Sequence, residues 1–377
     1  MVRELAPSRC GAIGQSAGPK AVGKRCGRIV GSLAILLLIL GIGAALVVAA
    51  TIYQAVATAA DQRRYPPPGR MVDIGARSLH LIDKGSGLPV IFESGISATS
   101  LSWTEVRSKV EGVARACSYD RAWLGWSHPA PSPRTTANIV DDLHALLEAA
   151  RIPTPVILTG HSFGGMLARA YAGRYPGDVA GLVLLDPLSP GEWLTVSPAH
   201  ARMLRLGIKL SRRGAWLARL GVVRASLALL IAGGRRVPHW MAKLTGGSGE
   251  SVITRLVGEV RKMPPETWPM VRAHWCLPRT FQGLAAYLES LPASSAEAAM
   301  LAATLDERLG QPGAIPVTVL SAANATPQQL QEREAWTRRS PRGRHIIARK
   351  SGHWIQLDEP ELVVQAIQEM LGIAKPS

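Results

Sequence analysis

The chain has 377 residues, of which 47% are hydrophobic and 19% charged, a balance that allows a sizeable core and excludes wholesale disorder. Its 43 Lys and Arg against 27 Asp and Glu give a formal net charge of +16, which would suit a phosphate-bearing surface. No zinc-finger spacing, aromatic RNA-binding motif or basic-region zipper accompanies this charge, so we expect no nucleic acid as a partner.

The N-terminus is basic and is followed by a long uncharged segment. Residues 1–28 carry six cations and a single acid, whereas residues 29–60 carry no charged side chain. About 20 apolar residues cross a hydrocarbon core about 30 Å thick, so 29–60 predict a single transmembrane anchor. A cleaved signal peptide is the alternative, with a processing site at 57–59. The positive-inside rule places the N-terminus in the cytoplasm and everything after about residue 60 on the extracytoplasmic side.

Residues 61–70, with the run YPPPG, predict a stiff spacer ahead of a folded domain that begins near Met71. Apolar runs then alternate with helical patterns, which predicts a mainly parallel sheet with helices on both faces. The predicted strands are 78–83, 89–93, 116–120, 155–159, 181–186, 315–321 and 344–348. Residues 191–313 look helical throughout and predict an insertion that separates the two parts of the core, 71–190 and 314–377.

A candidate nucleophile lies at a predicted strand-to-helix turn. The strand VILTG is followed by Gly160-His161-Ser162-Phe163-Gly164 and then by a helical run. A serine held in such a strained turn tolerates almost no side chain two residues before or after it, so glycine is needed at both places. The helix that follows points its free amides at the reaction centre. The pattern therefore predicts Ser162 as a nucleophile, with a simple glycine-rich turn as the alternative.

A serine hydroxyl needs a general base within hydrogen-bond reach. Of the nine histidines, His353 is best placed, because its loop follows the last predicted strand and such loops converge at one edge of the sheet. His161 is expected to be structural, because neighbouring side chains in the turn diverge. For the carboxylate that orients the base, Asp186 at the end of the strand GLVLLD is the first choice, and Glu332 and Asp120 are the alternatives.

Two backbone amides are expected to stabilise the developing negative charge. One belongs to Phe163, directly after the nucleophile, and the other to Ile96, which follows the strand VIFE. The four cysteines show no ligand spacing, so the sequence implies neither a metal nor a cofactor. Beyond the predicted anchor, Cys117 and Cys276 are expected to be free thiols.

Four segments together resemble the α/β-hydrolase superfamily: VIFESGISATSLSW, CSYDRAWLGWSHP, GHSFGG and SGHWIQLDEPELV. The resemblance covers about 71–190 and 314–374. It implies an α/β-hydrolase fold with eight mostly parallel strands and a helical cap after the sixth. It also implies acyl transfer at Ser162, since the related dehalogenases and epoxide hydrolases require an aspartate there. Two departures stand out: no carboxylate follows the seventh strand, and Trp123 replaces a glycine that is usual in its segment.

The predicted cap is strongly basic. No acid lies between Glu192 and Glu250, whereas ten Arg and Lys are interleaved with leucines and tryptophans. A basic helix with an apolar face suits a membrane surface, and a helix that packs this face on the core is the alternative. The sequence thus predicts a membrane-anchored serine hydrolase acting on carboxylic esters, lipid esters among them. A thioesterase, a peptidase and a catalytically inactive binding module remain as alternatives.

Overall fold

A computed structural model describes residues 19–194, 196–232 and 260–372, with side chains from residue 31 onward except 195 and 230–259. Parts of the predicted basic N-terminus and of the predicted basic cap, His239 included, lie outside these residues. The described chain divides into two compact units between Tyr53 and Gln54.

Helix α1 (Pro19–Arg64) contains the predicted anchor. Its segment Gly31–Arg64 is long and apolar enough to cross a membrane. The large apolar side chains of this segment are exposed. In water such a surface would be unfavourable, so its composition agrees with a hydrocarbon environment.

The last turns of α1 belong to the second unit. Gln54 is buried and its amide nitrogen donates to the carbonyl oxygen of Cys276 at 2.8 Å. Asp61 accepts a hydrogen bond of 2.5 Å from Arg224, and Trp126 donates to the carbonyl oxygen of Tyr65 at 3.0 Å. The predicted spacer 61–70 is therefore partly helical and bonded to the folded domain, because polar side chains on one face of α1 find buried partners there.

An eight-stranded sheet forms the centre of the second unit. Its strands are β1 (Arg70–Asp73), β2 (Ser78–Lys84), β3 (Pro89–Glu93), β4 (Arg115–Tyr119), β5 (Val156–His161), β6 (Val179–Leu185), β7 (Val317–Ala322) and β8 (Arg344–Ala348). They are arranged in the order β1-β2-β4-β3-β5-β6-β7-β8. β2 pairs antiparallel with β1 and β4, and all further neighbours pair in parallel. This confirms the predicted fold class.

Helices cover both faces of the sheet. They are α2 (Thr104–Val110), α3 (Thr136–Ala149), α4 (Phe163–Arg174), α10 (Pro327–Arg339), α11 (Ile355–Asp358) and α12 (Pro360–Met370). Ile157 and Leu158, neighbours on β5, are both fully buried but in different apolar clusters, Ile157 with α2 and α12 and Leu158 with α3 and α4. Burial on both faces explains why the central strands are continuous apolar runs.

The cap consists of the helices between β6 and β7. Those described are α5 (Gly191–Leu194), α6 (Pro198–Arg219), α7 (Val222–Ala232), α8 (Trp268–Trp275) and α9 (Pro278–Leu309). α6 turns small residues inward, Gly214, Ala215 and Ala218 among them, and packs on α9. Its larger apolar residues are exposed, with Met203 at 56% and Trp216 at 66%. The second half of α6 therefore turns small residues inward, Leu204 in its first half packs partly on the core, and Met203 and Trp216 lie outside.

The loop after β4 accommodates Trp123 where glycine is usual. Trp123 has a φ of 76°, in the left-handed region that costs a bulky residue free energy. Its indole nitrogen donates to the carbonyl oxygen of Ala130 at 2.8 Å. Its Cβ lies against Gly283 of α9, where an added Cβ would approach to 2.3 Å. The tryptophan is thus held in place by the cap, which lacks a side chain at that point of contact.

Candidate active site

Ser162 lies between β5 and α4 with φ 55° and ψ −119°. This backbone conformation is unfavourable for a residue other than glycine and typically costs about 1–3 kcal/mol. Four hydrogen bonds support it: the Ser162 amide donates to the carbonyl of Leu185 at 2.9 Å, and the Ser162 carbonyl accepts from the amides of Gly165, Leu188 and Met166 at 2.9, 3.0 and 3.3 Å. An added Cβ at Gly164 would lie 2.3 Å from the carbonyl oxygen of Glu93. The turn therefore requires the glycine that the sequence pattern contains.

His353 and Asp186 meet at the carboxyl edge of the sheet. Nδ1 of His353 lies 2.6 Å from Oδ2 of Asp186. Asp186 has a φ of 39° and donates its amide to Leu320 at 2.7 Å, so the neighbouring strand β7 fixes the backbone that carries the carboxylate. The carboxylate is the acceptor, which places the Nδ1 proton between the two groups and leaves Nε2 of His353 free to act as a base.

The second oxygen of the Asp186 carboxylate is held by a buried arginine. Arg333 of α10, 3% exposed, donates from Nη1 to Oδ1 of Asp186 at 2.6 Å, and the amide of Ala322 donates to the same oxygen at 3.2 Å. Burial raises the pKa of Asp186, but the hydrogen bond from His353 and the charge of Arg333 outweigh it and lower the pKa to about 2. The carboxylate is therefore ionised at neutral pH.

The loop after β3 approaches the nucleophile. An added Cβ at Gly95 would lie 3.8 Å from Cβ of Ser162. The amide of Phe163 begins α4 and has no intrahelical acceptor, and the amide of Ile96 donates to no acceptor among the described residues. Phe163 directly follows Ser162 in the strand-to-helix turn, here called the elbow, and Ile96 directly follows Gly95. Neither predicted oxyanion donor is therefore used by another acceptor among the described residues.

Comparison with known proteins bears on the family and the fold. A family model for the α/β-hydrolase fold matches residues 89–204. Over 27% of its length the chain is 32% identical to the protein YqjL of Bacillus subtilis, of which 40% is covered. Over 37% of its length it is 30% identical to a haloalkane dehalogenase of Mycolicibacterium smegmatis, of which 47% is covered. The chain spans less than half the length of these curated relatives.

A solved structure shows a similar fold. The haloalkane dehalogenase DatA of Agrobacterium tumefaciens matches 81% of this chain and 96% of its own, with a TM-score of 0.57 and 16% identity. The matching family model and the curated relatives indicate a member of the α/β-hydrolase superfamily, and the sheet has the α/β-hydrolase fold.

A buried arginine fixes the loop after β3, which contains the predicted oxyanion donor Ile96 and is here called the oxyanion loop. Arg121 donates to the carbonyl oxygen of Ser94 at 2.5 Å and to that of Gly95. It also pairs with the buried carboxylate of Glu93, which accepts a further hydrogen bond from Tyr119. Arg121 and Glu93 were not singled out from the sequence, because a buried ion pair between neighbouring strands has no local motif.

His161 connects the elbow to the base. Its Nε2 donates to the backbone carbonyl of His353 at 2.7 Å, and the two imidazole rings are 4.7 Å apart. Burial, reinforced by the charge of His353, lowers the pKa of His161 to about 3, so it is neutral at physiological pH. This contact agrees with the structural role predicted for His161. Within the described ranges Ser162 Oγ makes no hydrogen bond, as is common when no substrate is bound.

The two alternative carboxylates lie elsewhere. Glu332 accepts a hydrogen bond of 2.7 Å from Ser189. Asp120 accepts from His80 at 2.8 Å and from the amides of Ser100 and Trp126, so it holds the loops around it. Neither contacts His353, whereas Asp186 does.

A small cavity of about 50 Å³, here called the inner cavity, adjoins the site. Ser97 and Ala98 of the oxyanion loop and Trp354, next to His353, form one side of it. The cap residues Met263 and Val271 form another. Cys117 and Cys276 are buried free thiols, and neither lines the inner cavity. Among the described residues, no group of three His, Cys, Asp or Glu side chains could hold a metal ion.

Proposed function

We propose that the chain is a membrane-anchored serine hydrolase that cleaves carboxylic esters through an acyl-enzyme at Ser162. The observation that carries this proposal is the 2.6 Å hydrogen bond between His353 and Asp186, beside a serine in a strained turn. The serine matters for the choice of chemistry, because an aspartate at this position would favour the dehalogenase and epoxide hydrolase reactions.

The proposed reaction has two halves. Ser162 Oγ attacks the ester carbonyl carbon while Nε2 of His353 accepts its proton. The negative oxygen is stabilised by the amides of Phe163 and Ile96, and the bond to the leaving alcohol breaks as His353 returns the proton to it. Water then attacks the acyl-enzyme, gives a proton to His353, and releases the acid as Ser162 regains its hydrogen. Ionised Asp186 stabilises the imidazolium in both halves.

We also propose that α1 anchors the enzyme with its N-terminus in the cytoplasm and its catalytic domain on the extracytoplasmic side. The uncharged segment of α1 and the cations ahead of it support this orientation. The outer face of α6 supports a lipid substrate: Met203, Leu206, Leu210 and Leu217 are exposed at helical spacing, with cations between them. An exposed apolar and basic helix face suits the surface of an anionic bilayer.

Labelling with a fluorophosphonate tests the nucleophile directly. We expect the full chain to be labelled and Ser162→Ala to be unlabelled, while Ser108→Ala, a change at an exposed serine of α2, labels like the parent. Absence of labelling in the parent would favour an inactive binding module. Turnover of p-nitrophenyl esters against acyl thioesters and an aminoacyl anilide then separates an esterase from a thioesterase or a peptidase.

A further inference from the structure

A second and larger cavity lies on the other side of the cap residue His274. It measures about 290 Å³ and is here called the outer cavity. One wall comes from the end of α1 and the chain after it, and the others from the β4 loop and the cap. Its lining includes Asp61, Tyr65, Trp126, His274, Leu277 and Arg279.

The α1 wall of the outer cavity is fixed by buried hydrogen bonds. Arg224, 8% exposed, donates to the side-chain oxygen of Gln54 at 3.0 Å and to Asp61 at 2.5 Å. Trp126 donates to the carbonyl oxygen of Tyr65. The outer cavity is thus a built feature of the domain, and it lies at residues that directly follow the apolar part of α1.

His274 lines both the inner and the outer cavity. Its side chain is 6% exposed, and its buried Nδ1 has no hydrogen-bond partner among the described residues. Burial lowers the pKa of His274 to about 4 despite the opposing charge of Asp120, so the ring is neutral at physiological pH. A buried imidazole nitrogen without a partner costs free energy unless something else bonds to it. His274 therefore points to a polar ligand group at the junction of the two cavities.

The charge that faces the outer cavity favours an anion. Arg279 donates to the carbonyl oxygens of Ser127 and Gly125 at 3.1 and 2.8 Å, and no carboxylate of the described residues pairs with it. The acid in the wall, Asp61, is already paired with Arg224. Burial lowers the pKa of Arg279 although the charge of Asp120 opposes the shift, and no carboxylate of the described residues bonds to the guanidinium as a direct counter-ion. An anionic group near this guanidinium would supply one.

We propose that the outer cavity binds the anionic group, a carboxylate or a phosphate, of an amphiphilic ester whose other end reaches the inner cavity between the oxyanion loop and Trp354. His274 bonds to a polar atom of this molecule where the cavities meet, and Arg279 pairs with its charge. This assignment rests on the proposed function for the reaction itself. It narrows the substrate class to negatively charged amphiphiles, such as anionic lipids or their acyl derivatives, and it makes the end of α1 part of the substrate site.

Binding to the full chain carrying Ser162→Ala tests the proposal without turnover. The probes are octyl phosphate, 1-octanol and inorganic phosphate, measured by titration calorimetry in a neutral detergent. We expect octyl phosphate to bind at least about tenfold more tightly than 1-octanol, the increment of one charge-assisted pair, and inorganic phosphate to bind weakly. Arg279→Gln should remove the difference between octyl phosphate and 1-octanol, and Arg279→Lys should keep part of it.

Two further variants complete the design. Ala273→Leu, which fills the outer cavity without touching Arg279, should weaken binding of octyl phosphate. Arg338→Gln removes an exposed cation on α10 and should change nothing. Equal affinity for octyl phosphate in the parent, Arg279→Gln and Ala273→Leu would overturn the site, and inorganic phosphate binding as tightly as octyl phosphate would overturn the amphiphile. Fluorophosphonate labelling of Ser162 in the otherwise unaltered chain decides the proposed function separately.

Discussion

Arg333 donates to one oxygen of Asp186 at 2.6 Å while the other oxygen, also at 2.6 Å, contacts His353. The arginine lies on α10, which follows β7, where hydrolases of this type often place the acid itself. In this chain α10 instead contributes Arg333, whose guanidinium holds the carboxylate of Asp186 at the end of β6. The carboxylate therefore has its orientation and its charge set from a second element of the fold.

Asp186→Asn should lower kcat by about 10⁴-fold, because the amide would hold His353 in the wrong tautomer and would not stabilise the imidazolium. Glu332→Gln, which removes the charge of a residue that contacts Ser189 and not His353, should stay within about threefold of the parent. Steady-state hydrolysis of a p-nitrophenyl ester measures both. A larger loss in the Glu332 variant would transfer the acid role to that residue.

Arg333→Gln should lower the free energy of unfolding relative to the parent. This loss should be larger at neutral pH than at acid pH. The pKa of Asp186 is lowered from 3.8 to about 2, so its stabilising contribution is complete above pH 3.8 and is lost as pH falls through about 2. Without Arg333 the pKa rises, and the difference in unfolding free energy between variant and parent should shrink between pH 4 and pH 2. Urea titrations measure it, with Arg338→Gln as the control. A difference that does not change with pH would show that Arg333 acts only through packing.

His161→Phe should flatten the loss of stability on acidification. The folded-state pKa of His161 is lowered to about 3, so between pH 6.5 and 3 the unfolded chain binds a proton that the folded chain does not. Each such histidine costs about 1.4 kcal/mol per pH unit in this window. The variant should lose this pH dependence of its stability. Its kcat should also fall about tenfold, because the backbone carbonyl of His353 loses its hydrogen bond from His161. An unaltered slope in chemical unfolding would contradict the assigned neutral state.

Gly283→Ala should destabilise the domain by about 1–3 kcal/mol, because the new methyl would approach Cβ of Trp123 to 2.3 Å. Gly310→Ala, where an added Cβ meets no atom within 4 Å, is the matched control and should be neutral. Combining Gly283→Ala with Trp123→Gly removes the clash and suits the φ of 76°. A lower melting temperature for Gly310→Ala than for Gly283→Ala would contradict the contact between Gly283 and Trp123.

A chain that begins at Gln54 should be more stable than one that begins at Pro66. The shorter form loses both Gln54 and Asp61 and leaves Arg224 buried without its partners. Removing one partner of a buried ion pair typically costs about 3–5 kcal/mol. Urea unfolding of the two forms measures the difference, and equal midpoints would mean that the end of α1 is dispensable for the domain.

Long apolar runs made much of the fold predictable from the sequence. Seven of the eight strands follow from such runs, whereas β1 has only Val72 buried and gives no periodic signal. The sequence places Gln54 in the predicted anchor and Asp61 in the predicted spacer, because their shared partner Arg224 lies more than 160 residues away on the cap. Long-range pairs of this kind cannot be read from spacing.

The candidate site was likewise predictable only where its residues belong to local patterns. The elbow glycines, His353 and Asp186 were selected because strand ends and turns have local patterns. Arg333, Arg121 and His274 were not given roles, since their importance depends on which buried group each one faces. The assignment of Asp186 over Glu332 and Asp120 needed the geometry around His353, because all three carboxylates lie near strand ends or the helix that follows one.

Arg121 donates to the carbonyl groups of Ser94 and Gly95 and so fixes the backbone directly before Ile96. The amide that follows them is consequently oriented before any ester arrives. The conformational entropy of this loop is lost once, during folding, and not again in each turnover. Changes at this arginine should therefore slow the acylation step while leaving ground-state affinity for the ester nearly constant.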